Sequence, residues 1–125
     1  MKNKILLVDD NADLLQITGL ILKSQGHEIF SAPNVQLAEH YIQTETPQLM
    51  LLDVCICEEN GLLFCNRLKQ NATTKGIRII LMSGNDYSEQ DWNGADDFLL
   101  KPFDFNALIQ KVEQQLQGSL HRLSA

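Results

Sequence analysis

Lys-Ile-Leu-Leu-Val-Asp-Asp, residues 4–10, is the stretch whose reading decides the fold. A short apolar run closed abruptly by two acids reads as a buried strand. The same shape returns along the chain: residues 49–52 end at Asp53, 77–82 end at Ser83-Gly84, and 98–100 end at Lys101-Pro102. Residues 27–32 make a further short strand. Helical spacing fills the intervals. Residues 13–24 carry Leu14, Ile17 and Ile21, with Leu15 and Leu22 alongside. Gly19 inside that stretch costs about 1 kcal/mol, and Gly26 stops the helix as a C-terminal cap would. Pro33-Asn34 opens a second helix with Leu37, Ala38, Tyr41 and Ile42 on one face, and Pro47 breaks it. Residues 54–61 read as a loop. A third helix follows with Leu62, Cys65 and Leu68, and Phe64 beside them. Residues 85–93 are polar, with room for about two helical turns. Asp104 is placed to cap a last helix with Phe105, Leu108, Ile109, Val112 and Leu116 inward. Residues 118–125 read as a frayed tail. Strand and helix thus alternate five times. Strands apolar throughout imply a parallel sheet covered on both faces, a doubly wound α/β fold.

The chain has 125 residues, one domain's worth, with 44% hydrophobic and 21% charged residues. Its net charge is −6, so it lacks the basic footprint that phosphate backbones require, and nucleic-acid binding by this segment is not expected. No apolar run reaches membrane-spanning length, and the N-terminal run is too short for a signal-peptide core. The expected compartment is the cytoplasm. Cys55, Cys57 and Cys65 are odd in number, and Cys55-x-Cys57 has neither redox nor zinc spacing; they read as core-filling thiols.

The informative feature is where the polar residues fall. Asp9 and Asp10 follow the first strand, Asp53 ends the third, Ser83 the fourth and Lys101 the fifth. In an open parallel sheet the carboxyl ends of the strands share one edge, and ligands bind there. Three carboxylates at one edge repel unless a cation offsets them. An all-oxygen set suits Mg2+ or Mn2+, which leaves room for a phosphate oxygen. Lys101 adds a compact positive charge and Ser83 a hydroxyl donor. Asp53, the central acid, is the natural nucleophile for an aspartyl phosphate. Each piece alone is ordinary: acids after a strand cap helices or face solvent, Ser-Gly makes turns, and Lys-Pro means little. The ordered set at four strand ends carries the reading.

With these residues in view, the chain resembles the receiver domain of two-component response regulators, close to the single-domain chemotaxis type. The likeness rests on Leu-Leu-Val-Asp9-Asp10, Leu-Leu-Asp53, Asn60-Gly61, Leu-Met-Ser83-Gly84, Gly94-Ala95-Asp-Asp-Phe98 and Lys101-Pro102-Phe103. It spans residue 4 to about 117, with 1–118 as the receiver and 119–125 as a tail or the start of a linker. The resemblance implies a flavodoxin-like sheet of strand order 2-1-3-4-5. It implies that Asp53 accepts the phosphoryl group, that Asp9 and Asp10 place Mg2+ with Asp10 the direct ligand, and that Cys55 offers its backbone carbonyl to the metal. It makes Ser83 the switch hydroxyl, Lys101 the phosphate-binding lysine, held by a cis Lys101–Pro102 bond, and Phe98 the switch aromatic. The implied donor is a histidine kinase or a histidine phosphotransfer protein. The implied output is a changed affinity of the face made by the fourth helix, fifth strand and fifth helix for a downstream protein or a fused output domain, with homodimerisation on phosphorylation a further outcome. The chain is then a signalling phosphoacceptor rather than an enzyme, touching neither nucleic acid nor membrane.

Four positions depart from that pattern. Ile56-Cys57 replaces the usual Met-Pro, with Glu58 and Glu59 adding acid nearby. Ser83 to Lys101 spans 18 residues, about four fewer than usual, which implies a shortened fourth helix with Tyr87 and Trp92 covering the gap. Cys55 and Asn85 occupy the positions that flank the attacking water and so set the lifetime of the phosphate. Gln48 stands where the family often has Asp. Three other readings compete. A phosphatase with an aspartate nucleophile needs an acid where Cys55 stands. A flavin carrier needs a Ser/Thr/Gly-rich loop where residues 9–13 are mostly acidic. A degenerate receiver would bind partners without being phosphorylated.

Overall fold

The computed structural model describes residues 3–56, 59–85, 92 and 94–124, with side chains through residue 117. Its elements are β1 (Lys4–Val8), α1 (Ala12–Ser24), β2 (Glu28–Ala32), α2 (Val35–Glu45), β3 (Leu49–Asp53), β4 (Cys55–Ile56), β5 (Glu59–Asn60), α3 (Gly61–Gln70), β6 (Arg78–Ser83), β7 (Asp97–Leu100) and α4 (Phe105–Ser124). Five strands form a wholly parallel sheet in the order β2-β1-β3-β6-β7. Counting only these strands, that is the flavodoxin-like 2-1-3-4-5 order. β4 and β5 make a separate antiparallel ribbon.

Alternation along each strand divides the core in two. Leu6, Val8, Met50, Leu52, Ile79, Leu81 and Phe98 face α2 and α3, meeting Ala38, Ile42, Phe64, Cys65 and Leu68. Ile5, Leu7, Leu49, Leu51, Ile80, Met82 and Leu99 face α1 and α4, meeting Leu22, Leu108, Val112 and Leu116. A strand buried on both faces reads as an apolar run, as β3 does from Leu49 to Leu52; none of its residues is exposed, and its one polar residue, Asp53, closes it.

Helix ends follow side-chain chemistry. Asn11, Asn34 and Asn60 each accept a backbone N–H from Leu14, Leu37 and Leu62. Asp104 accepts from the Ala107 N–H at 2.7 Å, as predicted for its helix. At the end of α1, Gly26 takes φ 93°. Its N–H and that of His27 bond back to the Lys23 and Leu22 carbonyls, a Schellman closure.

Three expectations need correction. The stretch 54–61 is not all loop, because Cys55–Ile56 pairs with Glu59–Asn60 and Ile56 is fully buried. Ile17 and Phe105 are not inward: they are 43% and 45% exposed, and the buried positions of α1 are Thr18, Gly19 and Leu22. Gly19, lying on Ile29 and Leu7, brings that side of the helix down onto the sheet. The backbone of α4 stays helical through Ser124, past the point where fraying was expected. The shortened helix expected across 85–93, with Tyr87, falls mostly outside the described residues, as do Cys57 and Glu58.

Candidate functional site

Backbone pairing delivers the polar residues to one edge. The Asp9 N–H still donates to the Ala32 carbonyl at 3.2 Å, so this residue continues the β1–β2 ladder by one step. Asp53 is the last residue of β3 and pairs with Met82, one residue short of Ser83. Ser83 pairs with Leu100, and its carbonyl accepts the Lys101 N–H at 2.7 Å. The Lys101–Pro102 peptide is cis, as the resemblance implied.

The side chains meet above this edge. The Lys101 ammonium lies 2.7 Å from Asp9 Oδ2 and 3.6 Å from Asp53 Oδ1. Asp9 Oδ1 accepts the Asn11 N–H at 3.0 Å, so both oxygens of this 1%-exposed carboxylate are engaged. Asp9, Asp10 and Asp53 bring carboxylate oxygens within 4.8 Å of one another, with Asp10 exposed and the other two buried. Burial pushes the Asp53 carboxyl above its ordinary pKa. The Asp9 charge adds to the shift and Asp10 adds a little; Lys101 and the Cys55 N–H pull the other way. One lysine does not neutralise three acids. The cluster therefore has the all-oxygen donor set and the concentration of negative charge that a hard divalent cation satisfies.

The loop beyond Asp53 is held close. The Gly61 N–H donates to the Val54 carbonyl at 2.6 Å, and a Cβ on Gly61 would collide with the Asp53 carbonyl oxygen. Only glycine fits where α3 starts against the strand end. Bonds alternate along an antiparallel ribbon. Cys55 and Asn60 form the next pair of the ribbon after Val54 and Gly61. Ser83 is 6% exposed, and its Oγ accepts the Asn85 N–H at 3.0 Å, leaving its own proton to donate.

Phe98 lies deeper on the α2–α3 face, 7% exposed and paired with Leu81. Trp92 is half-buried and stacks on it, with ring centres 6.1 Å apart. Cys65 is buried, and burial pushes its thiol up to about 11, the behaviour of a core-filling group; Cys55 is exposed, unlike the core thiol predicted. Sequence reasoning missed Asp96. Its carboxylate accepts Lys69 at 2.8 Å, Arg78 at 3.1 Å and the Ile79 N–H at 2.9 Å, tying α3 and β6 to the segment entering β7. Burial alone would raise its pKa, but these hydrogen bonds and charges outweigh it and hold the group low. Its partners lie on other elements, and no local spacing announces them.

Among the described residues, no helix is long and apolar enough to cross a membrane. A family model described as the response regulator receiver domain matches residues 5–113. The chain is 31% identical over 117 residues to the phosphate regulon transcriptional regulatory protein PhoB of Pseudomonas aeruginosa, covering 90% of this chain and 51% of that protein. It is 30% identical over 121 residues to the nisin biosynthesis regulatory protein NisR of Lactococcus lactis, covering 94% and 52%. The chain spans about half the length of the curated relatives it matches. A crystal structure of a response regulator signal receiver domain from Bermanella marisrubri superposes with a TM-score of 0.84 at 29% identity, over 93% of this chain and 99% of that one.

Proposed function

The chain belongs to the response regulator receiver domain family of two-component systems, and from that premise we propose that Asp53 is its phosphoacceptor. The observation that carries this is the placement of the Asp53 carboxylate, 3.6 Å from the Lys101 ammonium and clustered with Asp9 and Asp10. The donor is a phosphohistidine of a sensor kinase or a histidine phosphotransfer protein. The P–N bond breaks as an Asp53 oxygen takes the phosphoryl group, forming an acyl phosphate. Asp9, Asp10, Asp53 and the Cys55 carbonyl would hold Mg2+ or Mn2+. The ion supplies positive charge that offsets repulsion between the carboxylate and the incoming phosphoryl oxygens.

This chain's own groups do the rest. Lys101, shared between Asp9 and Asp53, offers its ammonium to one phosphoryl oxygen, and the Ser83 hydroxyl donates to another. As Ser83 moves toward the phosphate, the packing beneath it changes, and the buried position of Phe98 is favoured. The surface around β7 then changes its affinity for a downstream protein or a fused output domain. Cys55 and Asn85 flank the bond that water must break and set its lifetime. The chain acts once per phosphoryl group received, as a cytoplasmic signalling acceptor, with residues 1–118 as the receiver.

Incubation with a radiolabelled small phosphodonor and Mg2+ tests this. Acid-stable, alkali-labile label on the wild type and none on Asp53→Asn is the expected result. Label that persists in Asp53→Asn refutes the assignment. A wild type that takes no label from any donor and shows no NMR change with beryllofluoride is a degenerate receiver instead.

A further inference from the structure

Trp92 is the only tryptophan of the chain. Its backbone is pinned, because its carbonyl accepts the Ala95 N–H at 3.0 Å and lies 3.9 Å from the Cys65 thiol. Its indole stacks on the Phe98 ring at an interplanar angle of 25°, the more exposed ring over the less exposed one. Phe98 in turn sits among buried side chains of β3, β6 and α3. The Phe98 ring is thus held in a buried position, and the indole covers it.

We propose that Trp92 is a positioning residue of the switch, holding Phe98 inward and so setting how readily the phosphorylated state forms. This rests on the assignments of Asp53 and Phe98 above. If phosphate selects the state with Phe98 buried, any contact that populates that state beforehand tightens phosphate-analogue binding in proportion. An offset aromatic pair of this kind is worth roughly a 2- to 10-fold change in such an equilibrium. The acidic cluster is drawn from the ends of β1 and β3, whereas the Trp92 indole packs on Phe98 of β7, so Mg2+ binding alone is expected to be insensitive to the stack.

The test titrates beryllofluoride at saturating Mg2+ into wild type, Trp92→Ala, Trp92→Phe and Asp53→Asn, following backbone amide shifts. Trp92→Ala is expected to bind the analogue about 2- to 10-fold more weakly. Trp92→Phe should stay close to wild type, and Mg2+ affinity without beryllofluoride should be unchanged in both. A merely structural loss would weaken both ligands together. Trp92→Ala that binds the analogue as well as wild type overturns the proposal, as does equal weakening of Mg2+ and beryllofluoride. If the wild type binds no beryllofluoride, or Asp53→Asn binds it equally, the Asp53 assignment fails. The role of Trp92 is then decided on unmodified protein by NOEs between the Phe98 ring and Leu81. Their weakening in Trp92→Ala supports it, and equal intensity in both proteins overturns it.

Discussion

Asp53 sits where its charge is least comfortable. Burial and the neighbouring Asp9 raise its pKa in the fold, so ionisation favours the unfolded chain. The sign follows from linkage: the two states do not differ below the unfolded carboxylate value, stability falls as pH rises through the folded value, and the penalty is complete above it. Asp53→Asn is therefore expected to be more stable than wild type in urea at pH 7 without Mg2+, the gain vanishing in acid. Equal midpoints at pH 7 would contradict this. Asp96 behaves oppositely. Its pKa is held low by Lys69, the Ile79 N–H and Arg78, so its contribution is present above the unfolded value and is lost as pH falls through the folded one. Asp96→Asn leaves two poorly exposed cations without their shared carboxylate and is expected to cost about 3 kcal/mol at pH 7 in urea unfolding. The two acids also differ in legibility. Asp53 could be found because it closes an apolar run, whereas Asp96 takes its meaning from Lys69 and Arg78 on other elements.

Although β2 carries Glu28 and Ser31, β1, β3 and β6 are largely apolar runs, and Asn34 and Asp104 stand where helix starts could be read. These elements were legible because the same residues that satisfy the local backbone also serve the tertiary fold. The β4–β5 ribbon was not, since two-residue strands carry no period. On α1 the stripe holds at Leu15, Ile21 and Leu22, which pack in the core, and fails at Ile17, because Gly19 decides which side of the helix sits closest to the sheet. That glycine is still open to improvement. A Cβ there would meet Ile29 Cγ2 at 3.7 Å and Leu7 Cδ1 at 3.8 Å, ordinary contact distances. Gly19→Ala is expected to stabilise the fold by about 1 kcal/mol through helix propensity, read as a higher urea midpoint with unchanged slope. A lower midpoint would show that the helix cannot accept the methyl group.

At the scale of the molecule, two apolar layers share one sheet, and the charged edge gathers unlike groups from the ends of β1, β3 and β7. A cation bound there and absent from the unfolded chain must stabilise the whole fold by mass action, about 2.7 kcal/mol at a hundredfold excess over the dissociation constant. Mg2+ is thus expected to raise the thermal midpoint of the wild type, and much less that of a variant lacking both Asp10 and Asp53; equal shifts would place the ion elsewhere. The pairing of Lys101 with Asp9 reaches across 92 residues of sequence. A ribosome adding about 5–20 residues per second delivers the acid roughly 5–20 s before its lysine. Until then the nascent chain carries its acids with only dissolved cations to balance them, so the pocket is the last part of the sheet that translation can finish.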